Sequence, residues 1–231
     1  MAQGHGFFSL GARQPSPDHE LIAYAMDTVG RRIYDIEIRH IERGDIERGI
    51  TGASGNLVWA EDGKAIFYTK RDPETLRAYQ VWKHTLETPV SRDELVYEET
   101  DEEFSCFVSK TRSKRFLMIV SDQTLTSEVR ILDATTPDGD WRVVLPREVG
   151  HEYSVDHAGE FDQQAVAHCV DNAAAKFRNA GVYSFGSQRT KPCNRAFLIV
   201  ANKPTVPNNV GSENGRQAAL DVRLSHGFEP L

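Results

Sequence analysis

The chain has 231 residues, with 27 Lys and Arg against 34 Asp and Glu, for a formal charge of −7. That length allows one all-β unit with a sizeable core, and the acidic balance, with no long basic tract, argues against a nucleic acid partner. No apolar run approaches the about 20 residues that span a bilayer, "MAQGHGFFSLGARQPSPDH" lacks the build of a signal peptide, and Cys106, Cys169 and Cys193 are far apart with no C-x-x-C pair, so a reducing, cytoplasmic setting without membrane partners is expected.

In chain order, the first feature is a polar turn, Ser16-Pro17-Asp18-His19, followed by the apolar run "LIAYAM" from Leu21. A loop then leads to a stretch of strict alternation, with Tyr34, Ile36 and Ile38 on one face and Asp35, Glu37 and Arg39 on the other. That pattern is a half-buried strand. The same outline returns as Glu61-Asp62-Gly63-Lys64, then "AIFYT" from Ala65, then an alternating strand holding Tyr79, Val81 and Lys83. It returns again as Thr111-Arg112-Ser113-Lys114, then "FLMIV" from Phe116, then a strand with Val129 and Ile131. The turns are rich in residues suited to tight dihedrals, and the runs are short, bounded and β-rich, which favours strands over helices.

The copies lie about 44 to 50 residues apart, a propeller-like period. The second copy fills out to four strands: "NLVWA" from Asn56, "AIFYT", "YQVWKH" from Tyr79 and "ELVYEE" from Glu94. The third gives "FSCFV" from Phe104, "RFLMIV", "SEVRILD" from Ser127 and "WRVVLP" from Trp141. Repeated sets of four antiparallel strands predict an all-β fold, an incomplete β-propeller of about three to four blades. One blade cannot bury both faces alone, so its neighbours must stack on it.

Residue patterns that would announce chemistry do not appear. There is no G-x-S-x-G; "GASGN" from Gly52 and "GSENG" from Gly211 have other spacings and read as loops. His151 and His157 in "HEYSVDH" would stand about 20 Å apart on one strand, too far to share a zinc. The acidic run holding Glu98, Glu99, Asp101, Glu102 and Glu103 reads as a solvated connection between the second and third blades, and Lys110, Arg112, Lys114 and Arg115 as a solvated hairpin turn. No catalytic, cofactor-binding or metal-binding residue is assigned.

Five ordered blocks carry a family resemblance: "GHGFFSLGARQPSPDHELIAYAMDTVGRRIYDIEIR", "SGNLVWAEDGKAIFYTKRDPETLRAYQVWKHTLETP", "LVYEETDEEF", "TSEVRILDA" and "LPREVGHEYSVDHAGE". They resemble the N-terminal propeller of oligopeptidase B, in the prolyl oligopeptidase family of serine peptidases, from about Gly4 to Glu160. "DNAAAKFR" from Asp171 resembles the next block in worn form. The resemblance implies a seven-bladed propeller that caps an α/β-hydrolase domain and admits short peptides, which are cut after Arg or Lys. It implies that the catalytic triad lies on the hydrolase domain, so no catalytic residue carries over. "DTVGRR", Asp27 to Arg32, and "HEYSVDH", His151 to His157, match blocks that imply turns and blade junctions.

After Phe161 the alternation fades, and from about Gly186 both repeat and resemblance are lost. The expected division is a partial propeller over 1–185 and an irregular or disordered tail over 186–231, polar apart from Ala196 to Ala201. A truncated or frameshifted gene would leave such a tail. Two functions stand open: an inactive propeller portion of an oligopeptidase-B-like peptidase, needing the hydrolase domain or self-association to cover open blade faces, or a non-catalytic propeller-derived module that binds peptide or protein. An enzyme with a hidden site is the third and weakest reading, because no spacing pairs a nucleophile with a base.

Overall fold

The structure is a computed structural model that describes residues 3–157 and 197–202. Its strands are β1 (Ser9–Pro15), β2 (Leu21–Asp27), β3 (Tyr34–His40), β4 (Ile46–Trp59), β5 (Ala65–Arg71), β6 (Ala78–Thr85), β7 (Glu94–Glu98), β8 (Ser105–Lys110), β9 (Phe116–Gln123), β10 (Thr126–Asp133), β11 (Arg142–Val143), β12 (Glu152–His157) and β13 (Phe197–Asn202). Every apolar run picked out in the sequence falls at least partly in one of them, but of "WRVVLP" only Arg142 and Val143 are strand. No helix among the described residues is long and apolar enough to cross a membrane.

Strands β1 to β7 form one antiparallel sheet in chain order, and β8 to β11 form a second. Blade 1 is β1, β2, β3 and the first half of β4; blade 2 is the second half of β4 with β5, β6 and β7; blade 3 is β8 to β11. Strand β12 opens the next unit and pairs with β13, Glu152 opposite Asn202 through His157 opposite Phe197. The apolar patch in the 186–231 segment is therefore a strand. The rest of that segment, the division at 185/186 and "DNAAAKFR" lie outside the described residues.

The turn after each blade's first strand repeats almost atom for atom. His19 N–H donates to Ser16 O at 3.0 Å, Gly63 N–H to Ala60 O at 3.3 Å and Lys114 N–H to Thr111 O at 2.8 Å. The residues reaching back, His19, Gly63 and Lys114, have φ of 64°, 69° and 62°. A short side chain braces each turn: Asp18 Oδ1 accepts from Glu20 N–H at 3.0 Å, Asp62 Oδ1 from Lys64 N–H at 2.9 Å, and Ser113 Oγ from Arg115 N–H at 3.3 Å. These are Asx-type and Ser-type turn bonds. The next turn repeats too, since Asp27 gathers the N–H groups of Val29, Gly30 and Arg32, and Asp72 those of Glu74 and Thr75.

The blades stack because alternate residues of a strand face opposite neighbours. In β5, Ile66 and Tyr68 join a core with Ala23, Ala25, Ile36 and Ile38 of blade 1. Ala65 and Phe67 join Val108, Leu117, Ile119 and Leu132 of blade 3. Strand β9 divides likewise, with Leu117 and Ile119 toward blade 2, and Met118 and Val120 packed with Tyr153 and Val155 of β12. Each fully buried side chain of this size stabilises the fold by about 1.5–3 kcal/mol. The alternation expected for Tyr34, Ile36 and Ile38 is the blade 1 side of the first core.

One feature differs from the expected loop at "GASGN". Gly52 to Asn56 lie inside β4, which passes from blade 1 to blade 2 through a break in register between Ala53 and Leu57; Ala53 is opposite both Tyr34 and Lys70. Gly55, at φ 85°, makes this possible. A Cβ there would stand 2.9 Å from the Tyr34 ring, and one on Gly11 of β1 would stand 2.8 Å from Gly55 O. The first strands of blades 1 and 2 thus approach backbone to backbone, with Tyr34 filling the gap.

Two glycine substitutions should separate strain from crowding. Gly63→Ala makes only ordinary van der Waals contact with Pro17 and Asp18 at 3.9 Å and should cost about 1 kcal/mol from its left-handed backbone alone. Gly55→Ala adds a clash with Tyr34 and should cost roughly 1–3 kcal/mol more. Urea unfolding of both variants reads the difference, and equal losses would contradict the close approach.

Candidate functional site

The first strands of the blades, β1, the second half of β4, and β8, stand side by side. Their following turns meet on one side of the stack, where a Cβ on Gly63 would stand 3.9 Å from Pro17 and Asp18. Between them lies a groove of about 540 Å³. Its walls include Gln14 and His19 from blade 1, Asn56, Trp59 and Glu61 from blade 2, and Lys110, Arg112 and Lys114 from blade 3.

Polar ties cross each blade boundary, two of them beside this groove. Trp59 Nε1 donates to Gln14 O at 2.8 Å, joining blades 1 and 2. The Asn56 amide takes both main-chain groups of Val108: Nδ2 donates to its carbonyl at 2.9 Å and Oδ1 accepts its N–H at 2.7 Å. Since β8 is an end strand of its sheet, Asn56 pairs main-chain groups that no ladder bonds. That suppresses stray strand pairing. Blade 3 is tied to β12 through Ser127, whose Oγ donates to Tyr153 O at 2.9 Å and accepts Tyr153 N–H at 2.8 Å.

The acidic run is not solvated throughout. Glu98, Asp101, Glu102 and Glu103 are exposed as expected, but Glu99 is buried. Its Oε2 is 2.5 Å from Arg147 Nη2 and 2.7 Å from the donating Tyr97 hydroxyl, and it also accepts from Ser121 Oγ. Oε1 accepts the Asp101 N–H at 3.0 Å. Burial alone would raise the Glu99 pKa, but the bonds from Arg147, Ser121, Tyr97 and Asp101 outweigh it and hold the carboxyl at about 2. Arg147 also lies 3.8 Å over the Phe104 ring. Arg77 Nη1 fastens the same connection by donating to Phe104 O at 2.8 Å and Asp101 O at 3.0 Å. This segment is a clamp joining blades 2 and 3 to the approach to β12.

A second buried polar group also escaped the sequence reading. Asp93 Oδ1 is 2.7 Å from His84 Nδ1, and Oδ2 accepts from the Tyr68 hydroxyl at 2.7 Å. His84 and Asp93 are almost wholly buried, so both carboxylate oxygens are used within blade 2. Only the fact that His84 and Asp93 border an alternating strand hinted at this, and that signal is weak. Lys83 is buried as well. Burial opposes its charge, but Asp138 at 2.5 Å and Glu94 at 3.0 Å prevail and raise its pKa.

The remaining sequence candidates separate cleanly. His151 packs on Tyr153 and His157 lies edge-on to Phe116, its Nδ1 2.8 Å from Ser113 Oγ. Among the described residues no group of three or more His, Cys, Asp or Glu could hold a metal ion. Burial pushes the Cys106 thiol up to about 12, far from a thiolate at neutral pH. Arg112, Lys114 and Arg115 are exposed as expected, while Lys110 pairs with Glu61 at 2.5 Å. "GSENG", Cys169 and Cys193 lie outside the described residues.

Four-stranded antiparallel blades, stacked through both faces with their first strands adjacent, define a β-propeller domain. The chain belongs to the prolyl oligopeptidase family: residues 1–176 match the family's N-terminal β-propeller domain. It is 40% identical over 161 residues to dipeptidyl aminopeptidase BI of Pseudoxanthomonas mexicana, covering 69% of this chain and 22% of that protein. Its structure is similar to oligopeptidase B from Leishmania major, with TM-score 0.61 and 33% identity over 67% of this chain and 22% of that one. It is also similar to oligopeptidase B from Trypanosoma brucei with covalently bound antipain, closed form, with TM-score 0.59 and 31% identity over 69% and 22%. The chain spans less than a quarter of the length of these relatives.

The Glu99 clamp carries a pH signature. A carboxyl held at about 2 against an ordinary 4.5 stabilises the fold fully above pH 4.5 and loses that contribution as the pH falls toward 2. Glu99→Gln, which removes the close charge partner of Arg147 and leaves it Asp101 at 3.9 Å, should cost about 3 kcal/mol at neutral pH. The gap between the two proteins in urea unfolding should close below pH 4.5, and a gap independent of pH would contradict the clamp.

Proposed function

We propose that this chain is part of the access propeller of an oligopeptidase-B-like serine peptidase. In this reading the groove between the first strands belongs to the path of short peptides, which a hydrolase domain cleaves after Arg or Lys. The observation that carries it is the family match over residues 1–176, joined to blades whose first strands stand side by side. Relatives named as a dipeptidyl aminopeptidase and as oligopeptidase B support a peptidase of short substrates.

The chain's own part is positioning and exclusion, with no bond-breaking centre. Asn56, Trp59 and the Glu99 clamp fix the blades so that the groove keeps its width. Its partners are peptide substrates and the surfaces that cover the outward face of blade 1, supplied by further blades, the hydrolase domain or a second copy. The compartment is the cytoplasm.

The test is hydrolysis of a short Arg-containing fluorogenic peptide by the purified chain, beside a label specific for active-site serines. Neither turnover nor labelling is expected from folded protein. Turnover with labelling would overturn the reading and place a nucleophile on this chain.

A further inference from the structure

The four cations of the first turn in blade 3 are not equivalent. Lys110 is matched by Glu61 at 2.5 Å. The Arg115 guanidinium lies over the Phe116 ring, 5.6 Å from its centroid. Arg112 is anchored from one side only. Its main-chain N–H donates to Asp156 Oδ1 at 3.0 Å, and its Nε stands 3.0 Å from Asp156 Oδ2. Asp156 of β12 therefore orients the guanidinium through Nε and leaves the two terminal nitrogens outside that pairing, on a side chain 83% exposed. Lys114 follows two residues later, exposed.

Arg112 and Lys114 both line the groove. Three cations and one carboxylate belong to its lining, and that carboxylate, Glu61, is committed to Lys110. With Asp156 beside Arg112, the positive charge in excess here is that of Lys114, in a chain of net charge −7. A pre-oriented guanidinium offers a planar fork that matches a carboxylate, and a neighbouring ammonium adds a mobile point charge.

We propose that Arg112 and Lys114 form a subsite for a peptide carboxylate at the mouth of the groove. The proposal rests on reading the groove as part of a peptide path. A carboxylate held here would tether one end of an extended peptide while the rest lies along the first strands. Both cations face solvent, so the interaction is salt-dependent.

The test is fluorescence anisotropy with the purified chain at low salt. Three labelled alanine-based tripeptides are compared: one with a free C-terminus, its neutral C-terminal amide, and the amide carrying one Glu. The free acid, the Glu peptide or both should bind at least about tenfold tighter than the neutral amide, and which of them does identifies the carboxylate source. Arg112→Gln and Lys114→Gln should each lose about tenfold, while Arg115→Gln changes nothing. Lys114→Gln touches no tie between blades, so it tests the site even if Arg112→Gln disturbs the Asp156 contact. Equal binding of all three peptides, or unaltered binding by Lys114→Gln, would overturn the subsite. The readout is binding, so it stands apart from the turnover measurement.

Discussion

Everything in this fold depends on strand β5 having two apolar faces that serve two different neighbours. Ile66 and Tyr68 are buried against blade 1 while Ala65 and Phe67 are buried against blade 3. A sheet with both faces apolar is unstable in water until both are covered. The repeat in the sequence is the consequence, because the simplest cover for such a sheet is another copy of it. Polar residues then set how closely the copies approach. Asn56 and Trp59 bond main-chain groups of the neighbouring first strands, and Gly11 and Gly55 let two backbones meet where any Cβ would intrude.

Much of this was legible in the sequence because it is written in local rules. The turns at Ser16, Glu61 and Thr111 announced themselves by composition, and the structure repeats their hydrogen bonds in each blade. Strict alternation at Tyr34, Ile36 and Ile38 gave the buried face of blade 1. The bends of β4 were harder to read, since glycines that allow a left-handed residue within a strand look the same on paper as glycines in a loop. Glu99 was hidden for another reason. It sits among exposed acids, and only the arrival of Arg147, 48 residues away in sequence, makes its burial tolerable. His84 and Asp93 were equally silent, their pairing being a matter of how β6 and the approach to β7 fold together.

The functional reading follows the same division. Family membership comes from ordered blocks that reflect the packing repeat, and the structure adds where the polar side chains gather. Glu99, Asp93 and Lys83 are buried and paired within or between blades, so their charges serve cohesion. Two exposed cations of the groove lining, Arg112 and Lys114, stand where the first strands end and the groove opens. Charge buried at the joints and charge exposed at the groove would suit the proposed role, a wall whose stiffness and lining both bear on the admission of peptides.

The claim at the centre of this account is that stability resides in the contacts between blades, with blade 2 and the inner part of blade 3 covered on both sides. Hydrogen exchange of the intact chain, followed strand by strand, tests it most directly. The account predicts the slowest exchange in β5 and β9 and faster exchange in β2 and β3, whose outward face lacks a stacked blade among the described residues. Equal protection across blades 1, 2 and 3, or slowest exchange in blade 1, would contradict it.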